Sequence, residues 1–120
     1  MTRALLGAPI NHELRRSWGR GEVATWEVVQ TAEFKAWLLQ LRDGVARAIV
    51  LRRIDRAANG NFGDVRPVGG GVSELRVDHG PGYRVYFVRR GEALIVLLCG
   101  GDKGSQAKDI ARAKALALEI

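Results

Sequence analysis

The chain has 120 residues, 47% of them hydrophobic and 27% charged, which is typical of one globular domain and excludes a disordered or collagen-like chain. Lysine and arginine together number 19 against 13 acidic residues, so the formal net charge is +6, and fifteen of the basic residues are arginine. Because guanidinium groups match phosphate oxygens, this balance leaves two alternatives, a polyanionic partner or an ordinary basic surface.

The beginning of the chain divides into two parts. Residues 1–24 show no clear hydrophobic period and are predicted to form a basic, weakly ordered extension, with one domain over residues 25–120. Residues 25–30 are rich in β-forming side chains, so they predict the first strand of that domain.

Two helices are predicted next. Thr31 is placed as the N-cap of the first, whose apolar residues recur at helical spacing: Phe34, Trp37, Leu38 and Leu41. The Asp43-Gly44 pair ends this helix, and a second is predicted over Val45 to Asn59. The short connection between them indicates an αα-hairpin.

The rest of the chain alternates like strands separated by glycine-rich turns. The predicted strands are Val65 to Val68, Val72 to Asp78, Tyr83 to Arg90 and Ala93 to Cys99. Pro67 favours an edge position for the first of these strands, whereas the last is apolar on both faces and is predicted to be central. Ser105 is predicted to cap a final helix. The fold class is therefore α+β, a small twisted, mainly antiparallel sheet with an N-terminal αα-hairpin and a C-terminal helix, and we expect the helices on one face.

A set of polar side chains shares the other face of this predicted sheet. Alternation sends Leu75, Val77, Val85 and Phe87 toward the helices. It therefore directs Arg76, Arg84 and Tyr86 together to the open face, and Lys103 is expected to reach its rim. Two guanidiniums and an ammonium are suited to phosphate, and the Tyr86 ring is suited to stacking on an RNA base. The alternative is that Arg76 only pairs with a neighbouring carboxylate.

Other residues give weaker signals. Arg52, Arg53 and Arg56 lie within one arc of the second helix, which indicates either an RNA-phosphate or acidic-partner contact or an ordinary solvated face. One cysteine, Cys99, and two histidines exclude an internal disulfide and a cysteine-based zinc site, so neither a metal nor a cofactor is expected. No apolar stretch approaches the about 20 residues that span a bilayer, and no signal peptide is visible, so we expect a cytoplasmic protein without a membrane partner.

Five sequence blocks also carry a likeness to a known family. They are Thr31–Leu38, Gly60–Val68, Ser73–Arg76, Gly80–Phe87 and Leu97–Lys103. In this order they resemble the RelE/HigB-like addiction-module killer proteins, the toxins of bacterial type II toxin–antitoxin systems in the RelE/ParE superfamily. The likeness extends from about Trp26 to Ala117, nearly the whole predicted domain.

The resemblance implies a RelE/ParE-like fold and an endoribonuclease (an mRNA interferase) that cuts mRNA on the ribosome and so inhibits translation. In that reaction the RNA 2′-hydroxyl attacks the adjacent phosphate. The family pattern puts a phosphate or transition-state contact at Arg84, and basic residues at the positions of Arg76 and Lys103. It also implies a cognate helix-turn-helix antitoxin as partner, besides the ribosome and mRNA.

The chain departs from the family pattern in three ways. No tyrosine follows Lys103, Glu74 stands where a second strand lysine is expected, and the histidine cluster of HigB-type toxins is absent. The general base is therefore open among four residues: Tyr86, His79, Asp102 and Lys103. Two other functions also stay open, a ParE-like inhibitor of a protein target such as DNA gyrase, and an inactive remnant that binds an antitoxin.

Overall fold

The structure is a computed structural model that describes residues 26–91 and 93–120. The extension predicted for residues 1–24 lies outside the described residues, as does Thr25 of the first predicted strand.

The described residues form five strands and three α-helices. In chain order these are β1 (Glu27–Gln30), α1 (Ala32–Gln40), α2 (Gly44–Ala58), β2 (Val65–Gly69), β3 (Val72–Val77), β4 (Tyr83–Arg90), β5 (Leu94–Asp102), a 3-10 turn (Lys103–Ser105) and α3 (Gln106–Leu118). This order confirms the predicted α+β class, the αα-hairpin and the C-terminal helix.

The strands build one sheet in the order β1-β5-β4-β3-β2. β1 runs parallel to β5, and every other neighbouring pair is antiparallel. β2, which contains Pro67, lies at the edge as predicted, because proline has no N–H for a second partner strand. β5 lies inside the sheet, which agrees with its apolar character on both faces.

The two helices of the hairpin begin at side-chain caps. The Thr31 hydroxyl accepts the N–H of Phe34 at 3.0 Å, as predicted for an N-cap. The Asp43 carboxylate accepts the N–H groups of Val45 and Ala46 at 2.9 and 3.2 Å, so it starts α2 as well as following α1. These caps set the short turn between α1 and α2.

The sheet has a hydrophobic layer on each face, so the prediction that all the helices pack on one face is wrong. One layer joins α1 and α2 to the sheet residues Val28, Leu75, Val77, Val85, Phe87, Ile95 and Leu97. The other joins Ala113, Leu116 and Ala117 of α3 to Val29, Val72, Tyr86, Val88, Val96 and Leu98. The face that carries Arg84 and Tyr86 also carries these valines and Leu98, and burying them requires a cover, which α3 supplies.

Two glycines let helices approach β5 from opposite sides. The last predicted strand ends at Cys99, yet Gly100 and Gly101 also belong to β5. A Cβ atom on Gly100 would lie 2.5 Å from Cδ2 of Trp37 on α1, and one on Gly101 would lie 2.7 Å from Cγ of Asp109 on α3. The sequence therefore uses glycine here for close packing within a strand rather than for a turn.

Among the described residues, none of the helices has the length and apolar character needed to cross a bilayer.

Candidate functional site

A cleft of about 430 Å³ opens at one end of the sheet, where β3 and β5 end and β4 begins. Arg76, Arg84 and Lys103 all line it, so the structure brings together the three residues predicted to be catalytic. Asp64 and Asp78 also line the cleft.

Strand register explains why the cations meet. Arg76 of β3 lies directly opposite Arg84 of β4, and Arg84 in turn lies opposite Gly101 of β5. Lys103 follows β5, and a Cβ atom on Gly82 would lie 3.7 Å from the Lys103 Cβ. Like charges directly opposite each other destabilise a strand pair, and the carboxylates of Asp64 and Glu74, which lie beside Arg76 and Arg84, partly offset this repulsion.

The three cations differ in how firmly they are held. Lys103 is exposed, and Arg76 is partly exposed with its Nε 3.9 Å from Asp64 Oδ2. The Arg84 side chain is only 8% exposed, and its Nε lies 3.5 Å from Glu74 Oε2. The buried Nε and Nη1 of Arg84 have no hydrogen-bond partner within the described part of the chain. Both atoms have almost no exposed surface and the nearest carboxylate is that of Glu74, so they belong to an incompletely satisfied ion pair and are not open to a ligand.

A buried polar network stands behind Arg84. Glu74 is fully buried, and its Oε2 accepts the Tyr86 hydroxyl at 3.0 Å and the Gln106 amide at 2.8 Å. Burial, with the Glu74 hydrogen bond second, raises the pKa of Tyr86 well above its ordinary value. The Tyr86 ring has no exposed surface, because α3 covers the face that was expected to be open.

The arginines of α2 do not line this cleft. Arg52 and Arg56 are exposed on the helix, as the sequence pattern predicts. Arg53 turns inward and donates to the carbonyl oxygens of Phe62, at 3.2 Å, and of Arg76. Its burial lowers the pKa of the guanidinium.

The other residues considered as proton carriers have structural partners. His79 Nε2 lies 3.2 Å from Asp43 Oδ2, which ties the β3–β4 turn to the start of α2. Asp102 Oδ1 accepts the N–H of Gly104 at 2.8 Å and caps the 3-10 turn. Ser105 is the N-cap residue of α3, as predicted, but its hydroxyl donates to the Asp109 carboxylate and accepts no N–H of the helix.

Tyr83 is a cleft residue that the sequence reasoning missed. It lines the cleft, and its ring packs edge-on against Trp37 with 6.4 Å between the centroids. Alternation assigns Tyr83 to the helix side of β4, but it is the first residue of the strand, where its side chain reaches the rim. Its place in the Gly80–Phe87 block, beside Arg84, is the signal that would have found it.

Comparison with known proteins found a matching family model and a similar protein. Residues 36–119 match the family model described as "Phage derived protein Gp49-like (DUF891)". The chain is also similar to a Haemophilus influenzae (strain ATCC 51907 / DSM 11121 / KW20 / Rd) protein described as "Uncharacterized protein", with 47% identity over 96 residues. That alignment covers 80% of this chain and 97% of the relative. No solved structure matches the chain at a significant level.

Proposed function

This chain belongs to the Gp49-like family of phage-derived proteins, a family of toxin–antitoxin toxins, and from that premise we propose that it cleaves mRNA on the ribosome as RelE/HigB-type toxins do. The observation that carries the proposal is the cleft at the end of the sheet, which Arg76, Arg84 and Lys103 line together.

The proposed reaction uses the RNA's own 2′-hydroxyl as the nucleophile. The 2′-oxygen forms a bond to the adjacent phosphorus, the bond from phosphorus to the 5′-oxygen breaks, and the products are a 2′,3′-cyclic phosphate and a 5′-hydroxyl. The 2′-hydroxyl loses a proton and the leaving oxygen gains one, so the proton count balances. Negative charge accumulates on the phosphate oxygens in the transition state.

The three cations are suited to different parts of the proposed reaction, because they differ in burial. Arg84, held between strands and largely desolvated, is suited to the charge that develops on the phosphate oxygens. Arg76 and Lys103, which are more exposed, are suited to holding the neighbouring RNA phosphates. Among the described residues that line the cleft, Tyr83, Lys103 and Asp78 can exchange a proton and have no side-chain hydrogen bond, so they are the candidates for the proton transfers.

The test is primer extension on mRNA from cells that express the protein. Wild type is expected to give cleavage at codon-linked positions, with 5′-hydroxyl fragments. Arg84→Ala, checked for folding by circular dichroism, is expected to abolish these cuts. Arg52→Ala removes an exposed arginine away from the cleft and serves as the matched control, so it should leave cleavage intact. Equal cleavage by wild type and Arg84→Ala would contradict the proposal.

The same experiment separates the alternatives. Growth arrest with DNA damage and no mRNA cleavage indicates a ParE-like inhibitor of a target such as gyrase. Normal growth indicates an inactive remnant that only binds an antitoxin.

We also propose a cognate antitoxin of the helix-turn-helix class as the partner. The family supports an antitoxin, and the basic cleft would be neutralised by an acidic segment of such a partner. Messenger RNA on ribosomes is a cytoplasmic target, so the proposal places the protein there. Co-expression with the adjacent reading frame is expected to restore growth and to yield a complex on size-exclusion chromatography.

A further inference from the structure

We propose that Glu74, fixed by Tyr86 and Gln106, is a positioning residue that orients the Arg84 guanidinium toward the cleft. The inference rests on the proposed function, because it assumes that Arg84 acts on an RNA phosphate. It assigns a role to a buried carboxylate that stands where the family resemblance implies a lysine.

Burial and distance connect Glu74 to Arg84. Glu74 has no exposed surface, and its Oε2 lies 3.5 Å from Arg84 Nε. The two residues lie on neighbouring strands, with Glu74 opposite Tyr86 and Arg84 one step further along the same face. In this desolvated setting the attraction between the two charges is much stronger than it would be in water, so the carboxylate limits where the guanidinium can sit.

The carboxylate itself is held from two other directions. The Tyr86 hydroxyl of β4 and the Gln106 amide of α3 both donate to Oε2, at 3.0 and 2.8 Å. Both donors are uncharged, so they fix the carboxylate in place without neutralising it. The negative charge of Glu74 is therefore left to act on Arg84, and three separate elements determine its position.

A direct catalytic role for Glu74 is not compatible with this burial, since a residue without exposed surface cannot contact RNA. Nor does the ion pair contribute to anion binding, because a negative charge behind Arg84 weakens the attraction for phosphate. Buried ion pairs are also weak contributors to stability compared with apolar packing. Orientation of the guanidinium is the role that accounts for a carboxylate at this place.

The test compares RNA cleavage with RNA binding in Glu74→Gln, which keeps the size of the side chain and removes its charge. The substrate is a short mRNA bound to ribosomes, and the binding probe is the same ribosome-bound mRNA with a 2′-deoxy sugar at the cleavage position, which cannot react. We expect cleavage at saturating RNA to fall by about tenfold to a hundredfold, the range that a misplaced catalytic group produces. We expect affinity for the probe to be unchanged or tighter, because a nearby negative charge is lost.

Glu33→Gln is the matched control, because Glu33 is a partly exposed carboxylate of α1 that pairs with Arg112 away from the cleft. It should leave both quantities unchanged. Gln106→Leu, which loosens Glu74 without removing its charge, is expected to lower cleavage in the same way by a smaller factor, and it decides the matter if Glu74→Gln fails to fold. Cleavage by both folded variants at the wild-type rate would overturn the inference, as would a parallel loss of cleavage and binding.

A second measurement does not depend on RNA cleavage. The Arg84 Nε–H signal in a ¹⁵N correlation spectrum, identified by its loss in Arg84→Lys, should exchange slowly with water in wild type. In Glu74→Gln it should shift and exchange faster, whereas in Glu33→Gln it should not change. An unchanged signal in Glu74→Gln would overturn the inference. Absence of cleavage by wild type would instead contradict the proposed function, and the Arg84 signal would still decide the role of Glu74.

Discussion

Arg53 supports the cleft from behind without lining it. Its guanidinium donates to the backbone carbonyl of Arg76, a residue that lines the cleft, and to the carbonyl of Phe62 at 3.2 Å. The loop accommodates this side chain at Gly63, where φ is 67° and a Cβ atom would lie 3.0 Å from Arg53 Nη2. Arg52, one residue away, is exposed, so adjacent arginines have different roles in the structure.

Replacement of Arg53 is therefore expected to reduce stability. Arg53→Met keeps the aliphatic length but removes charge-assisted hydrogen bonds, and we expect the free energy of unfolding to fall by about 1.5–3 kcal/mol. Arg52→Met should change it by less than about 0.5 kcal/mol, as is usual on a surface. Urea denaturation of both variants measures the difference. Equal effects of the two substitutions would show that the inward hydrogen bonds of Arg53 do not stabilise the fold.

The stability of the folded protein is expected to depend on pH through Asp43. Its pKa lies below its ordinary value, first because it accepts the Ala46 N–H and then because of His79. A carboxyl with a depressed folded pKa stabilises the protein above its unfolded pKa of about 3.9, and this contribution is lost as the pH falls through the folded pKa.

Asp43→Asn retains an N-cap side chain but removes the charge. We expect wild type to melt at a higher temperature than Asp43→Asn at pH 6, and the difference to shrink below about pH 4, as a proton binds Asp43 first in the unfolded chain and then, at lower pH, in the folded protein. Thermal unfolding from pH 3 to pH 6 measures both proteins. A difference that stays constant over this range would contradict the expectation.

β5 is the element on which the other elements converge. It pairs with β1 and β4, and where β1 ends the Thr31 N–H and hydroxyl donate to the carbonyls of Leu97 and Leu98, at 3.0 and 2.6 Å. Beyond that point, α1 packs on one face of β5 and α3 on the other. Arg112 of α3 and Glu33 of α1 form a hydrogen-bonded ion pair, at 2.7 to 3.0 Å, that links the two helices. The end of β5 that leads to Lys103 is thus held from both faces.

A methyl group at Gly100 should disturb this packing. Gly100→Ala would push the Trp37 ring away from β5, and we expect a loss of about 1–3 kcal/mol in unfolding free energy, as for other overpacked sites. Gly44→Ala is the control, because a Cβ atom there meets nothing within 4 Å at the start of α2. It should stabilise the protein by about 0.4–1 kcal/mol. Denaturation together with tryptophan fluorescence tests the pair, and a neutral Gly100→Ala would refute the close approach of Trp37.

The charge of the whole molecule and the charge of the cleft are different quantities. The formal net charge of +6 is spread over the chain, and most of the basic residues that the structure describes do not line the cleft. The cleft itself has a local charge set by Arg76, Arg84 and Lys103, which the two aspartates in its lining partly offset, and the proposed RNA binding would depend on this set. Steering of RNA toward the protein depends on the total charge, whereas contact with phosphates depends on the cleft.

Salt dependence distinguishes these two contributions. Each phosphate contact on a single strand adds about 0.7 to the slope of log affinity against log salt concentration. Lys103→Ala is therefore expected to reduce the slope by about 0.7, whereas Arg52→Ala leaves it nearly unchanged. Fluorescence anisotropy with the uncleavable RNA measures the slopes. The same reduction for both variants would indicate that binding follows total charge and not the cleft.

The placement of the three basic residues in the cleft could be predicted from local sequence pattern. Two-residue alternation correctly put Arg76 and Arg84 on one face and Leu75 and Val85 on the other, because a strand repeats every two residues wherever it lies. The position of Lys103 at the end of the last strand brought it to the same edge of the sheet. Tyr83 was not predicted as a cleft residue, because alternation indicates the face on which a side chain lies and not whether the residue is at the end of a strand.

Three features could be predicted from the sequence because each depends on neighbours along the chain: the order and type of the elements, the sharing of one face by Arg76 and Arg84, and the basic character of the site. Three others depend on how distant parts of the chain pack: α3 lies on the face of Arg84, Tyr86 and Glu74 are buried beneath it, and Arg53 turns inward. They could not be predicted because a helix with one apolar stripe can cover either face of a sheet. The choice depends on which distant apolar residues remain to be buried, and this sheet has a hydrophobic layer on each face.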